Sequence, residues 1–334
     1  MADEKLLIAG LGLIGRQRLD ACIEFGLKPE NIYVFDSNSK QASLLQEAKY
    51  SGLNFINSFE SALSISFKRA IVAVPHDAAV GMVSALLDIG CRVILEKPLG
   101  RNIQEAQYLA SHMNSKNLSV GFNYRFMPGI VRLKNLFASG NLGKISSIKM
   151  ELGHGGAPAD ANSWKLNPVM AGGGVFLDPG IHLIDLMIHL FDIDETDFSI
   201  VGKTEWKGFW NTGIEESTNL LGYLGEIPIT LTSSIVAWRT RFKVEIIGTE
   251  NYFEIDGRGR SDGPQIITEG PRWGWLYAAS QRESETRTEL VKSDNSLKAE
   301  IFDWLQEGQL ICNITQALTG MKIYNKVVGG DLDN

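Results

Sequence analysis

At 334 residues the chain exceeds one ordinary hydrophobic core, so two domains are expected. A net charge of −7 without any basic block argues against nucleic acid or an anionic membrane surface as partner. Cys22, Cys91 and Cys312 are odd in number and far apart, which predicts buried free thiols in a reducing compartment, and a cytoplasmic protein. The first apolar run is too short for a signal peptide and follows Asp3 and Glu4, and no apolar stretch nears the roughly twenty residues of a membrane span.

The chain begins with an apolar strand, Lys5 to Ala9, that runs into Gly10, Gly12 and Gly15 in the spacing G-x-G-x-x-G. Gly10 suits the tight turn out of the strand, Gly12 lets bare backbone approach a pyrophosphate, and Gly15 lets the next helix pack closely on the sheet. Leu13 and Ile14 start that helix, whose unpaired amides and dipole favour a diphosphate. Helical periodicity runs to Phe25 and stops at Gly26. The next strand, Asn31 to Phe35, ends in Asp36, an acid placed to accept hydrogen bonds from the adenosine ribose. A carboxylate there repels a 2′-phosphate, so NAD is preferred to NADP, although Ser37, Ser39 and Lys40 stand nearby as alternative phosphate holders.

Further along, a strand over Ala70 to Val74 is stopped by Pro75, and a helix over Asp77 to Ile89 closes at Gly90. A strand from Arg92 to Leu95 leads into Glu96-Lys97-Pro98, followed by a helix from Ile103 to about Met113 and a strand from Leu118 to Phe122. This alternation predicts a doubly wound parallel sheet, a Rossmann domain over residues 1–121. Residues 122–334 change pattern: a helix near Ile130 to Phe137, a strand Ile145 to Leu152, a Gly/Pro/Asn-rich stretch through Gly174 and a helix from Pro179 to Phe191. Strands follow at Phe198–Val201, Glu216–Leu224, Ile227–Ala237, Phe242–Ile247 and Tyr252–Ile255, then a loop at Gly257–Pro264 and helices at Leu297–Gln306 and Ile314–Val327. The fold class is therefore α/β, a Rossmann domain followed by an α+β domain with a large open mixed or antiparallel sheet.

Ligands of open parallel sheets bind beyond the carboxyl ends of the strands, where Pro75, Glu96 and Lys97 fall. Lys97 precedes a proline and is therefore held extended. In the second constellation, Gly172-Gly173-Gly174 leads to Asp178-Pro179, with Asp178 as N-cap and Pro179 at the first helical position. Asp178, His182, Asp185 and His189 then share roughly one helix face. A histidine beside an acid suits proton exchange with an alcohol or carbonyl. The plainer alternatives are a solvated lysine, a capping aspartate and a core histidine; zinc would need a third ligand, and no convincing one is offered.

Gly10 to Gly15, Glu96-Lys97-Pro98, Gly121-Phe122-Asn123-Tyr124-Arg125-Phe126-Met127-Pro128, and the triple glycine followed by Asp178 and His182 together resemble the glucose–fructose oxidoreductase/inositol dehydrogenase/MocA family. The resemblance implies an active site between a Rossmann and an α/β domain, with Lys97, Asp178 and His182 around the substrate carbon. His182 would be the acid/base, Lys97 would polarise the reacting oxygen, and Asp178 would orient substrate. Two departures stand out: Ala79 where many relatives have a histidine, with His76 beside the proline, and Asp192 where a glycine often ends the helix.

The function expected is NAD-dependent hydride transfer at a hydroxyl-bearing carbon of a sugar, polyol, or nucleotide-linked or acidic sugar. The rivals are an NAD-dependent glycosidase or epimerase with transient oxidation, and a non-catalytic NAD-binding sensor, against which the retention of Lys97, Asp178 and His182 argues. Asn123, Arg125, His154, Asn162, Trp164 and Lys165 are candidate pocket residues, with Arg239 and Arg241 as further partners for an anionic group. Trp206, Trp210 and Trp238 suggest a sheet face covered by another subunit, hence a homodimer or homotetramer.

Overall fold

The computed structural model describes residues 4–38, 45, 48–156, 163–260, 263–272, 284–291 and 293–329. Ser39, Lys40 and Asn162 lie outside the described residues. The chain divides into two units, one of residues 1–123, 169–172 and 297–321, the other of 124–168, 173–296 and 322–334. The first unit thus takes in a segment from near the end of the sequence as well as the expected N-terminal half.

In the first unit, the described strands are β1 (Leu6–Ala9), β2 (Ile32–Phe35), β3 (Asn54–Phe55), β4 (Arg69–Val72), β5 (Arg92–Glu96) and β6 (Leu118–Gly121), with β15 (Cys312–Asn313) from the late segment. They form a sheet in the order β15-β6-β5-β4-β1-β2-β3, parallel except for β15. Helices α1 (Leu13–Phe25), α2 (His76–Asp88) and α3 (Ile103–Ala110) follow the alternation read from the sequence. Gly26 ends α1 in the left-handed region at φ 105°, as an αL cap should. β1 is buried at every position, as a central strand covered on both faces must be.

The core around β1 is completed by α6 (Ser296–Leu305), which contributes Leu297, Ile301, Trp304 and Leu305 alongside Leu19, Cys22, Ile32 and Val34. The first-domain range 1–121 lacks this helix because nothing local in its sequence says which apolar face it covers. All three cysteines are buried, and burial pushes the Cys22 and Cys91 thiols up to about 12, which keeps them protonated and inert.

The second unit holds α4 (Pro128–Ser139), β7 (Ile145–Gly153), α5 (Ile181–Phe191) and strands β8 (Phe198–Trp206), β9 (Ser217–Leu224), β10 (Ile227–Ser234), β11 (Arg241–Gly248) and β12 (Asn251–Asp256). Beyond these lie β13 (Gln265–Pro271) and β14 (Thr286–Val291), which the sequence reading did not include. Both are rich in charged and polar residues, β14 as the edge strand and β13 as its neighbour, so they lack the alternating apolar signal. The described strands make an open mixed sheet, β14-β13-β12-β11-β7-β10-β9-β8, in which only β7 and β10 run parallel. Alternation is strict where one face is covered: Phe242, Val244 and Ile246 of β11 are buried while Lys243 and Glu245 face outward. The outer face carries ion pairs Lys149–Glu245 and Lys243–Glu254 and, towards β8, exposed Val201, Leu221 and Tyr223.

Two helix ends differ from glycine-based expectation or from simple capping. Asp192 closes α5 at φ 52°, taking the left-handed role that glycine usually fills, which a short polar side chain tolerates better than most. At the other end, α5 begins at Ile181 with Gly180 as cap residue and no side-chain cap, so the expectation that Asp178 is the N-cap is corrected. The residues before Ile181 instead form turns, closed by Asp178 N–H to Gly174 O and Gly180 N–H to Val175 O. Helix α7 (Ile314–Gly329) ends the described chain.

Candidate active site

The glycine turn is built as a dinucleotide cradle. A Cβ on Gly10, at φ +96°, would lie 2.3 Å from the carbonyl oxygen of Ala73, and one on Gly15 would lie 1.9 Å from that of Gly10. Neither position admits a side chain without moving backbone. Gly12 is different: a Cβ there meets nothing within 4 Å, so the space above it is open. α1 starts at this point with no side-chain cap, leaving its first amides for an anion. Leu13, 65% exposed, sits on the same turn.

Asp36 is tied to the turn it follows. Its Oδ2 accepts from Leu11 N–H at 2.6 Å and its Oδ1 from Asn38 N–H at 2.8 Å. The carboxylate is thus fixed at the carboxyl end of β2 with lone pairs remaining for ribose hydroxyls. The residues present fit a bound dinucleotide on the open space at Gly12, the uncapped helix start and this oriented acid.

At the ends of β4 and β5 lie Pro75, which caps α2, and Glu96, Lys97 and Pro98, with a cis bond between Lys97 and Pro98. Glu96 accepts a hydrogen bond from the Nε of Arg18, a wholly buried α1 residue whose Nη2 lies 2.9 Å from Glu300 of α6. Burial alone pulls the Arg18 pKa down, but Glu96 and then Glu300 outweigh it and the net shift is upward. Gly121 makes room for this guanidinium, since a Cβ there would lie 2.2 Å from Nη2. His76, the residue that stands beside the proline, donates from Nδ1 to Ala171 O at 2.8 Å, a structural tie.

In the second unit, the end of the triple glycine is clamped. Glu215 Oε1 accepts from Gly174 N–H at 3.1 Å, its backbone oxygen accepts from Val175 N–H at 2.9 Å, and Ser233 Oγ donates to Val175 O at 3.1 Å. Burial raises the Glu215 carboxyl above the usual range. This holds the turn that presents Asp178, which precedes a cis proline and whose Oδ2 lies 2.9 Å from Lys165 Nζ. His182, in the first turn of α5, is buried with its ring stacked on Tyr124 at 4.1 Å between centroids and 10° between planes. Asp178 and Lys165 are therefore brought together, as are His182 and Tyr124, the neighbour of the candidate Arg125.

Arg125 has an internal partner: buried, it forms a forked pair with Asp185, with Nη2 to Oδ1 at 2.6 Å and Nε to Oδ2 at 2.9 Å. Arg241 pairs with Glu151 and Arg239 lies 4.6 Å over the exposed Trp238 ring. His154 Nδ1 accepts from Gly156 N–H at 3.0 Å, and its backbone is joined to Ser234 and Ala237, while Trp164 carries the Lys165 ammonium 5.9 Å above its ring. Tyr124 stands in the sequence only as part of the motif over residues 121–128, and Glu215 belongs to no motif. Glu215 is 41 positions from the glycine it holds and gives no local signal.

His189, on the same face of α5, is buried with Lys134 Nζ 3.3 Å from its Nδ1. Burial, then the charges of Arg125 and Lys134, lower its pKa to about 3, so it folds neutral. The unfolded state takes up a proton near the ordinary histidine value and the folded state does not, so stability present above about pH 6.5 is lost as the pH falls toward 3. The expected loss by pH 4 is about 1–3 kcal/mol from this group. Urea titrations of the wild type and His189→Asn at pH 7 and pH 4 check it: the variant should show the smaller pH dependence.

Among the described residues no helix is long and apolar enough to cross a membrane, and no group of three His, Cys, Asp or Glu side chains is placed to hold a metal ion.

Comparison with known proteins agrees with this architecture. Residues 5–124 match the oxidoreductase family model for the NAD-binding Rossmann fold, and residues 130–254 match the GFO/IDH/MocA C-terminal domain. Glucose-6-phosphate 3-dehydrogenase of Bacillus subtilis is 25% identical over 92% of this chain and 89% of its own. Levoglucosan dehydrogenase of Pseudarthrobacter phenanthrenivorans is 30% identical over 36% of this chain and 32% of its own. A solved levoglucosan dehydrogenase in complex with NADH and levoglucosan shares the fold at a TM-score of 0.78 and 17% identity, covering 98% of this chain and 96% of that one. GenD2 from gentamicin A biosynthesis, solved with NAD, does so at 0.76 and 18%, covering 99% and 95%. The chain belongs to the GFO/IDH/MocA family of oxidoreductases and carries its NAD-binding Rossmann domain.

Proposed function

We propose that the protein is an NAD-dependent dehydrogenase or reductase that transfers a hydride between nicotinamide and a hydroxyl-bearing carbon of a sugar, polyol or activated sugar. The observation that carries this reading is the presentation of Asp178 by a clamped glycine turn with His182 in the first turn of the helix that follows, in a chain whose other unit is an NAD-binding domain. Bound NAD supplies the hydride acceptor. In the direction of oxidation His182 takes the hydroxyl proton as the C–H hydride leaves, and Lys97 hydrogen-bonds to that oxygen and favours its developing negative charge. Asp178, whose carboxylate already holds Lys165, orients the substrate hydroxyls around the reacting carbon.

The substrate class is supported by relatives named for glucose 6-phosphate and levoglucosan. A panel of glucose, glucose 6-phosphate, levoglucosan and myo-inositol, followed by NADH absorbance, tests the reading. Net NADH formation with one of them is expected. A cycle that isomerises or cleaves sugars without accumulating NADH overturns net dehydrogenation. The exposed Trp206, Val201, Leu221 and Tyr223 on the outer sheet face support a homo-oligomer, which the mass in solution tests.

Asp36→Ala is expected to narrow the preference for NAD over NADP by about tenfold or more, the equivalent of removing roughly 1–2 kcal/mol of like-charge repulsion. Dissociation constants for NADH and NADPH by fluorescence titration check it, and an unaltered ratio removes Asp36 from cofactor discrimination.

A further inference from the structure

Tyr124 lies in the 3-10 turn Asn123–Phe126 and is buried. Its ring is held on several sides. His182 stacks on it nearly parallel, at 10° and 4.1 Å. Phe242 of β11 meets it edge-on at 5.3 Å and 79°. Arg258, in the loop after β12, donates a hydrogen bond to its phenol oxygen and carries its guanidinium carbon 5.5 Å from the ring centroid. These contacts come from three separate stretches of chain, so the plane of the tyrosine is set by tertiary structure. The imidazole, lying flat on that plane, has its own plane set in turn.

A stacked imidazole keeps its ring edge, where both nitrogens lie, as the only part able to exchange protons. Its χ2 rotation is restricted because turning the ring would drive it into the phenol face. Proton transfer to a bound hydroxyl depends on the direction of the nitrogen lone pair, so the tilt of this ring matters as much as its position. The phenol face also suits the imidazolium that exists while the proton is on the histidine, since an electron-rich ring attracts a cation.

We propose that Tyr124, anchored by Arg258, is the positioning residue that fixes the plane of His182 for proton transfer. The proposal rests on the acid/base role given to His182 above. It does not make Tyr124 a catalytic residue, because it acts through the imidazole.

The test uses the full chain with histidine labelled in its ring and the variants Tyr124→Phe, Tyr124→Leu and Arg258→Met. One His182 ring resonance, identified by its loss in His182→Gln, is expected upfield in the wild type because it lies over the tyrosine face. It should remain upfield in Tyr124→Phe and move to the ordinary position in Tyr124→Leu, a readout that needs no substrate. With the substrate found in the panel, Tyr124→Leu is expected to lower kcat on the order of tenfold to a hundredfold while KM and NADH affinity stay within about twofold. Tyr124→Phe, which keeps the stack and loses the Arg258 bond, should cost about threefold, and Arg258→Met about the same.

Wild-type kcat in Tyr124→Leu, or a loss that appears wholly in KM, overturns the proposal, as does an unshifted His182 resonance in the wild type. If Tyr124→Leu does not fold, Arg258→Met decides: an unchanged kcat together with an unchanged resonance overturns the anchoring role. A fully active His182→Ala instead removes the acid/base assignment, and the ring-current result then still stands or falls on its own.

Discussion

Replacing Lys97 or His182 by alanine is expected to lower kcat by a factor on the order of 10²–10⁴, the range typical of a removed acid, base or electrostatic group. Cofactor affinity should change by no more than about threefold, because the binding energy for the dinucleotide comes from elsewhere. In the proposed site the diphosphate rests on backbone at Gly10, Gly12 and Gly15 and the start of α1, and the adenosine end on Asp36, held by the Leu11 and Asn38 amides. None of these contacts involves Lys97 or His182. Steady-state turnover together with NADH fluorescence titration separates the two quantities. Full activity in either variant removes that residue from the mechanism; a parallel loss of cofactor binding shows that the substitution acted on the fold. Lys97→Arg should not restore turnover, since guanidinium is larger, forked and always charged, whereas an ammonium can approach a single oxygen as a point charge.

Much of this was legible in the sequence because the decisive features are local. The glycine spacing, the apolar runs of β1 and β2 and the terminal Asp36 occupy one βαβ unit, and each has a short-range physical requirement that a sequence displays directly. The Glu96-Lys97-Pro98 and triple-glycine segments are equally local. What escaped is non-local or lies where two effects compete. Strand β14 forms a sheet edge and β13 lies next to it, where polar side chains are tolerated and alternation fades. Asp178 has the composition of an N-cap, yet the turn closed on Gly174 and Val175 starts the helix later and leaves the carboxylate to Lys165. Arg125 and Asp185 were both visible, but their pairing across 60 positions was not, so an internal ion pair read as a candidate for substrate. The same holds for α6, whose apolar stripe announces a helix and does not announce that its partner is α1.

Arg18 shows how much such a distant pairing can weigh. Its guanidinium is buried and forked between Glu96, one residue before Lys97, and Glu300 of α6, whose side chain has no exposure. Arg18→Met keeps a long apolar stem but leaves two carboxylates without their cation, one of them fully buried. Breaking a buried pair from one side costs about 3–5 kcal/mol, a large share of the stability of a domain. The double variant Arg18→Met/Glu300→Leu removes the buried carboxylate as well, and replacing a whole buried ion pair by apolar groups is often close to neutral. The expected result in urea is therefore non-additive: the single variant unfolds at markedly lower denaturant, and the double variant regains most of the difference. Glu96, partly exposed, can find water in both. A double variant no more stable than Arg18→Met would mean that the cost lies in lost packing around α1 and Gly121, and not in the buried charge of Glu300. Turnover adds the functional half of the experiment. If Arg18 also orients the strand end that carries Lys97, the double variant recovers stability without recovering kcat, because its hydrogen bond to Glu96 is still missing.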